Sequence, residues 1–182
     1  MKVHRIIFIL FFTSSFSFLA IGQDLAKKEI EKQAEKNWNN LNYKLASEQY
    51  EKLLSLDPQD VNYAYRFAVS NFIAGFKVDK SLKYLEPLMG KEKVPTDIPF
   101  WIGKMYMANY QFNDAIDMFN TFIAGSGISQ DQISEAQKNI NMCLSAIQLL
   151  NKPINIAFEN LGPNINSTAN DFLPLVPENE DF

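Results

Sequence analysis

The feature that most constrains this chain is a pair of small residues twelve positions apart, each set in its own apolar stripe of helical spacing. In residues 99–124, PFWIGKMYMANYQFNDAIDMFNTFIA, the first stripe carries Ile102, Gly103 and Tyr106, and the second carries Ala115, Phe119 and Phe122. A break over residues 109–113 separates them, so the pattern predicts two short antiparallel helices. Gly103 and Ala115 would let the two backbones approach where larger side chains would hold them apart. Asp97 stands where an N-cap is expected, and Pro99 falls in the first turn, where its missing N–H costs nothing.

A lone hairpin cannot bury both its faces, so the pattern should recur along the chain. It does. Residues 37–58 place Ala46, Tyr50, Leu53 and Pro58 at offsets 0, 4, 7 and 12, and Ala34 lies twelve before Ala46. Residues 61–89 supply Ala68, then Ser81, Leu85 and Leu88, with thirteen positions between the small residues. One extra residue near Gly75 accounts for the difference. A first amphipathic helix is expected over residues 24–40, with Ala26, Ile30, Ala34 and Trp38 at four-residue steps and a mixed-charge outer face. Glu29, Glu31 and Glu35 offset its lysines, which favours a solvated face over a membrane-surface one.

This spacing resembles the tetratricopeptide repeat, whose motif sets a small residue in each helix, an aromatic four after the second, and a proline at the close. The likeness runs over residues 24–151, is good in the first and third copies and weaker in the second, and Pro58 is the one closing proline in register. It implies an all-α fold: a TPR-like solenoid of three helical hairpins and a capping helix, followed by an irregular tail. Residues 90–99, GKEKVPTDIP, form a polar linker, and residues 130–151, with Ile133, Ala136, Ile140, Cys143, Leu144 and Ile147 in one stripe, form the cap.

The two ends read differently. Lys2 and Arg5 precede the apolar run of residues 6–12, and Ala20, Ile21 and Gly22 are suited to a cleavage site, so residues 1–22 read as a secretory signal peptide cut before Gln23. Thr13, Ser14, Ser15 and Ser17 stop the run short of the ~20 apolar residues that a membrane span needs. Domain boundaries are therefore expected at 1–22, 23–151 and 152–182. Beyond residue 152, Pro153, Pro163, Pro174 and Pro177 forbid a further helix.

The tail resembles the opening of a PD40-type, WD40-like propeller repeat, carried by Asn160-Leu161-Gly162, Ile165-Asn166-Ser167, Asp171-Phe172 and Pro174. A signal peptide, a repeat array and such an opening, in that order, resemble periplasmic proteins of Bacteroidota-type bacteria that continue into a propeller and an OmpA-like peptidoglycan-binding domain. The resemblance implies an exported chain, periplasmic or outer-membrane-associated, with a role in type IX secretion and gliding. Wall anchoring does not carry over, because the peptidoglycan-binding domain is not in this sequence. Two alternatives stay open for the tail: the start of a longer product, or a strand completing a sheet on another chain. On either, residues 160–182 are expected to be mobile in the isolated chain, since one strand cannot satisfy its backbone alone.

Charge and composition exclude several functions. Without residues 1–22 the chain keeps 15 basic and 21 acidic residues, a net charge of −6, and no histidine. An acidic chain lacking a basic stripe does not suit nucleic acid. No enzyme is expected either, since catalysis needs a placed base or nucleophile and the carboxylates, Asp114 and Asp117 included, fall on solvated faces. Neither a metal nor another cofactor is expected. Cys143 stands alone and reads as a small core hydrophobe.

What remains is a scaffold for other proteins, or a structural spacer for a downstream propeller. In tetratricopeptide arrays the partner lies against the second, fifth, ninth and twelfth positions of each repeat. Counted from Lys27, Val61 and Thr96, these are Lys28, Glu31, Glu35 and Trp38; Asn62, Tyr65, Val69 and Phe72; and Asp97, Phe100, Lys104 and Met107. The resemblance thus implies an aromatic trough of Trp38, Tyr65, Phe72, Phe100 and Met107, with Lys28 and Lys104 as cations beside it. The fifth positions lack the basic set that clamps a peptide carboxylate, so an apolar helix or extended segment is the expected partner. Trp38 and Phe72 read equally well as packing between hairpins.

Overall fold

A computed structural model describes residues 24–75 and 77–152, and every described element is helical. The expected signal peptide and nearly all of the tail lie outside these residues. Helix α1 spans residues 24–39, α2 Tyr43–Leu56, α3 Val61–Ile73, α4 Val78–Leu85, α5 Ile98–Ala108, α6 Phe112–Ile123 and α7 Gln130–Leu150, with a 3₁₀ turn at Glu86–Leu88 after α4. The hairpins lie in one compact unit that runs to Gln148. α2 packs on α3, α3 on α4, α4 on α5 and α5 on α6, while α3 touches α5 and meets α1 through Trp38 and Tyr65, so first helices meet first helices as a solenoid requires.

Small residues sit at every close approach. Ala34, Ala46, Ala68, Ser81 and Ala115 are fully buried. At Gly103 a Cβ would lie 2.8 Å from the Phe119 ring, which is itself fully buried. Only glycine lets α5 lie this close to α6.

Two of the three hairpin turns are the same device. In the first, the Asn42 N–H donates to the Asn37 carbonyl at 2.8 Å, and in the third the Gln111 N–H donates to the Tyr106 carbonyl at 2.9 Å. Leu41 and Tyr110, at the middle of these turns, have φ of 60° and 62°. The second turn holds one more residue and places a glycine, Gly75, at φ 79°. The thirteen-residue spacing of that copy therefore arises in its turn and not in its helices.

The linker expectation holds in outline. Pro87 has no N–H for the helical ladder, so α4 gives way to a 3₁₀ turn that still buries Leu88. The chain then crosses to α5, with Gly90 and Lys93 in left-handed conformation. Ser129 and Gln132 cap α7 reciprocally: the Ser129 N–H donates to Gln132 Oε1 at 2.9 Å and the Gln132 N–H to Ser129 Oγ at 3.3 Å.

Two apolar cores result, and α5 joins them. Ile98, Ile102 and Met105 belong to the core shared by the first two hairpins. Phe100 belongs to the second, with Ala115, Phe119, Phe122 and, from α7, Ala136, Ile140 and Cys143. Burial pushes the Cys143 thiol above its usual pKa, in keeping with a packing role.

Candidate functional site

The first helices of the hairpins, α1, α3 and α5, form the face on which the expected groove positions fall. At the α1 end, a depression of about 510 Å³ is lined by Lys28, Glu31, Lys32, Glu35, Tyr50, Asp60, Asn62 and Tyr63. Four of these, Lys28, Glu31, Glu35 and Asn62, are expected positions. Asp60 is fixed there because it caps α3, accepting from the Asn62 and Tyr63 N–H groups at 2.9 Å. The Tyr63 hydroxyl donates to Glu31, and burial together with that carboxylate holds Tyr63 well above the usual phenol range.

The continuous aromatic trough is not what the face presents. Tyr65 is 7% exposed where the first two hairpins and the third meet, and Phe100 is 9% exposed because α6 and α7 cover it. Trp38 is half-buried, with its ring centroid 6.2 Å from Tyr65 and 6.4 Å from Tyr50, and Phe72 is half-buried against the same core. Met107 packs against the second core, and Val69 is fully buried. Nor are the two lysines free cations beside a trough: Lys28 pairs with Asp24 at 2.9 Å, and Lys104 donates to Asn139 on α7 at 3.3 Å. Aromatic packing fills the middle of the face and leaves a depression at either end.

Asp97 departs from its expected role in the same way. It occupies the N-cap position of α5, yet its side chain caps nothing. Its carboxylate instead accepts from the Tyr65 hydroxyl, 2.8 Å from Oδ2, and from Trp101 Nε1 at 2.9 Å. A hydrogen bond from a ring two helices away outcompetes the local one, because it also satisfies a buried phenol. Burial and the Asp97 charge raise the Tyr65 pKa strongly. Beside this trio, Asp97, Phe100, Trp101, Phe122, Gln132 and Glu135 line a smaller pocket of about 190 Å³.

Three contributors escaped sequence reasoning. Arg66 lies over the Trp38 ring, its Cζ 4.3 Å from the centroid, and Lys32 and Trp101 line the two hollows. All three occupy the sixth position of their repeats, one helical turn past the second. That step of four was available as a signal.

The hairpin geometry has a counterpart among solved structures. The crystal structure of the Sgt2 TPR domain from Aspergillus fumigatus superposes with a TM-score of 0.55 over 75% of this chain and 88% of that one, at 14% identity. The fold is of the tetratricopeptide type. No protein-family model matches the sequence, and no curated protein aligns with it.

Proposed function

We propose that this protein is an exported scaffold whose first-helix face holds a segment of another protein within a cell-envelope complex. The observation that carries this reading is the depression between α1 and α3, where the second, fifth and ninth positions of one repeat and the second of the next gather on one open surface. The tetratricopeptide fold supports the reading, since stacked hairpins give an extended surface suited to a chain segment. Catalysis is no part of it. The signal-peptide pattern of residues 1–22 supports export, with cleavage after Gly22, and the resemblance of residues 160–174 to a propeller opening supports a place among the Bacteroidota envelope proteins, one of which belongs to the type IX secretion and gliding apparatus. Association with the outer membrane would then be peripheral and made through a protein partner.

The second reading, a spacer that positions a downstream propeller and peptidoglycan-binding domain, is favoured by the burial of Tyr65 and Phe100, which removes aromatic anchors from the face. One experiment separates the two. Glu35 and Asn62 are exposed and line the depression, so Glu35→Arg with Asn62→Arg blocks it without touching the core. The scaffold reading predicts that the double variant loses an envelope partner captured by the wild-type chain while melting at the same temperature. A wild-type chain that captures no partner the variant loses would favour the spacer.

A further inference from the structure

We infer that the pocket between α5 and α7 receives a lysine or arginine side chain from the bound segment, an inference that rests on the scaffold reading above. Its volume, about 190 Å³, falls below the ~300–1,000 Å³ of whole-ligand sites. One side chain fits it better than a free small molecule.

The lining selects the charge. Phe100, Trp101 and Phe122 supply aromatic walls, Asp97 and Glu135 supply two carboxylates, and among the described residues no lysine or arginine lines it. The donors to Asp97 are a phenol and an indole, both neutral, so its negative charge is oriented but not cancelled. Gln132 Oε1 is held by the Ser129 N–H and hydroxyl, which fixes the wall on the α7 side. Lys104, one turn after Phe100, is drawn to Asn139 instead of the pocket. Aromatic faces beside unneutralised carboxylates favour a cation, since ring quadrupole and charge attract it together. The other depression mixes Lys28 and Lys32 with Glu31, Glu35 and Asp60, so it does not share this preference. A bound segment would thus be oriented, its basic residue at the α5–α7 end.

The test is selection of a random-peptide display library on the full chain, followed by titration of the strongest peptide. The selected peptides should share a lysine or arginine with apolar neighbours. Glu135→Gln should weaken the strongest by about fivefold and Glu135→Lys by about tenfold or more, while Glu48→Gln, on α2 and outside the pocket, leaves it unchanged. Replacing the peptide's basic residue with norleucine should cost the wild-type chain about the same factor and the Glu135→Lys variant almost nothing. Peptides with no shared basic residue, whose binding Glu35→Arg with Asn62→Arg abolishes, would overturn the cation pocket and leave the scaffold reading standing. Selection of no peptide at all would overturn both.

Discussion

The two junctions between hairpins are built from different materials. Where the first hairpin meets the second, α2 lies along α3 and aromatic pairs cross the contact: Trp38 meets Tyr65 and Tyr50 meets Tyr63, with ring centroids 6.2 and 6.3 Å apart, and within the first hairpin Trp38 also packs on Tyr43 and Tyr50. Where the second meets the third, α4 is short, a 3₁₀ turn and a linker intervene, and α4 touches α5 over fewer residues. Carboxylates bridge that gap. Asp97 holds Tyr65 and Trp101, Glu86 accepts from the Tyr106 hydroxyl at 2.7 Å, and Asp79 from the Asn109 amide at 3.3 Å. Close apolar packing needs the helices in register. Once Pro87 ends α4 early, α5 still packs Ile98, Ile102 and Met105 into the first core, and hydrogen bonds with longer reach add to that contact.

The comparison predicts a graded set of effects. Tyr50→Ala empties the centre of the first junction, where the ring is 2% exposed, and should cost about 3–5 kcal/mol in denaturant unfolding. Gly103→Ala acts within the third hairpin. Alanine gains about 1 kcal/mol in helix propensity, but its Cβ meets an immobile Phe119 ring at 2.8 Å, so a net loss of about 1–2 kcal/mol is expected. Tyr65→Phe keeps the packing at the second junction and removes one donor to Asp97, for a loss of about 1–2 kcal/mol. If Tyr65→Phe cost as much as Tyr50→Ala, the distinction between the junctions would collapse.

Both junctions should be alkali-sensitive, since burial raises Tyr50 and Tyr63 at the first as it does Tyr65 at the second. Its hydrogen bond to Glu86 also pushes Tyr106 up to about 12. A phenol whose pKa is higher when folded stabilises the fold fully below its unfolded value near 10, and that stability is lost as pH rises through the folded value. Melting temperature should therefore fall between pH 10 and about 12, and less steeply in Tyr106→Phe. The smallest effect lies outside both junctions. Leu41 is 69% exposed at φ 60°, so Leu41→Gly should stabilise by about 0.5–1 kcal/mol.

Features that depend on neighbours in sequence were legible in advance. The small-residue pairs, the twelve-residue spacing, Pro99 in the first turn of α5 and the cap α7 all appear where the pattern puts them. The groove was read less well, for a physical reason. A helical period says which residues share a face but not how far the next hairpin covers it, so Tyr65 and Phe100 were expected to be open and are packed. Asp97 shows the same limit: its capping preference is local, whereas its partner Tyr65 lies 32 residues away. Arg66 over Trp38 was missed because the sixth position is not among those that the family resemblance implies.

The central structural claim is that the second junction is the weaker link in the array, and native-state hydrogen exchange tests it most directly. Amides of α5 and α6 should open together at a lower free energy than those of α2 and α3, and Tyr65→Phe should lower that opening further while leaving the opening of α2 unchanged. If α2, α3, α5 and α6 instead exchanged through one common opening, and Tyr65→Phe lowered all four alike, the two junctions would be equivalent and the account would be contradicted.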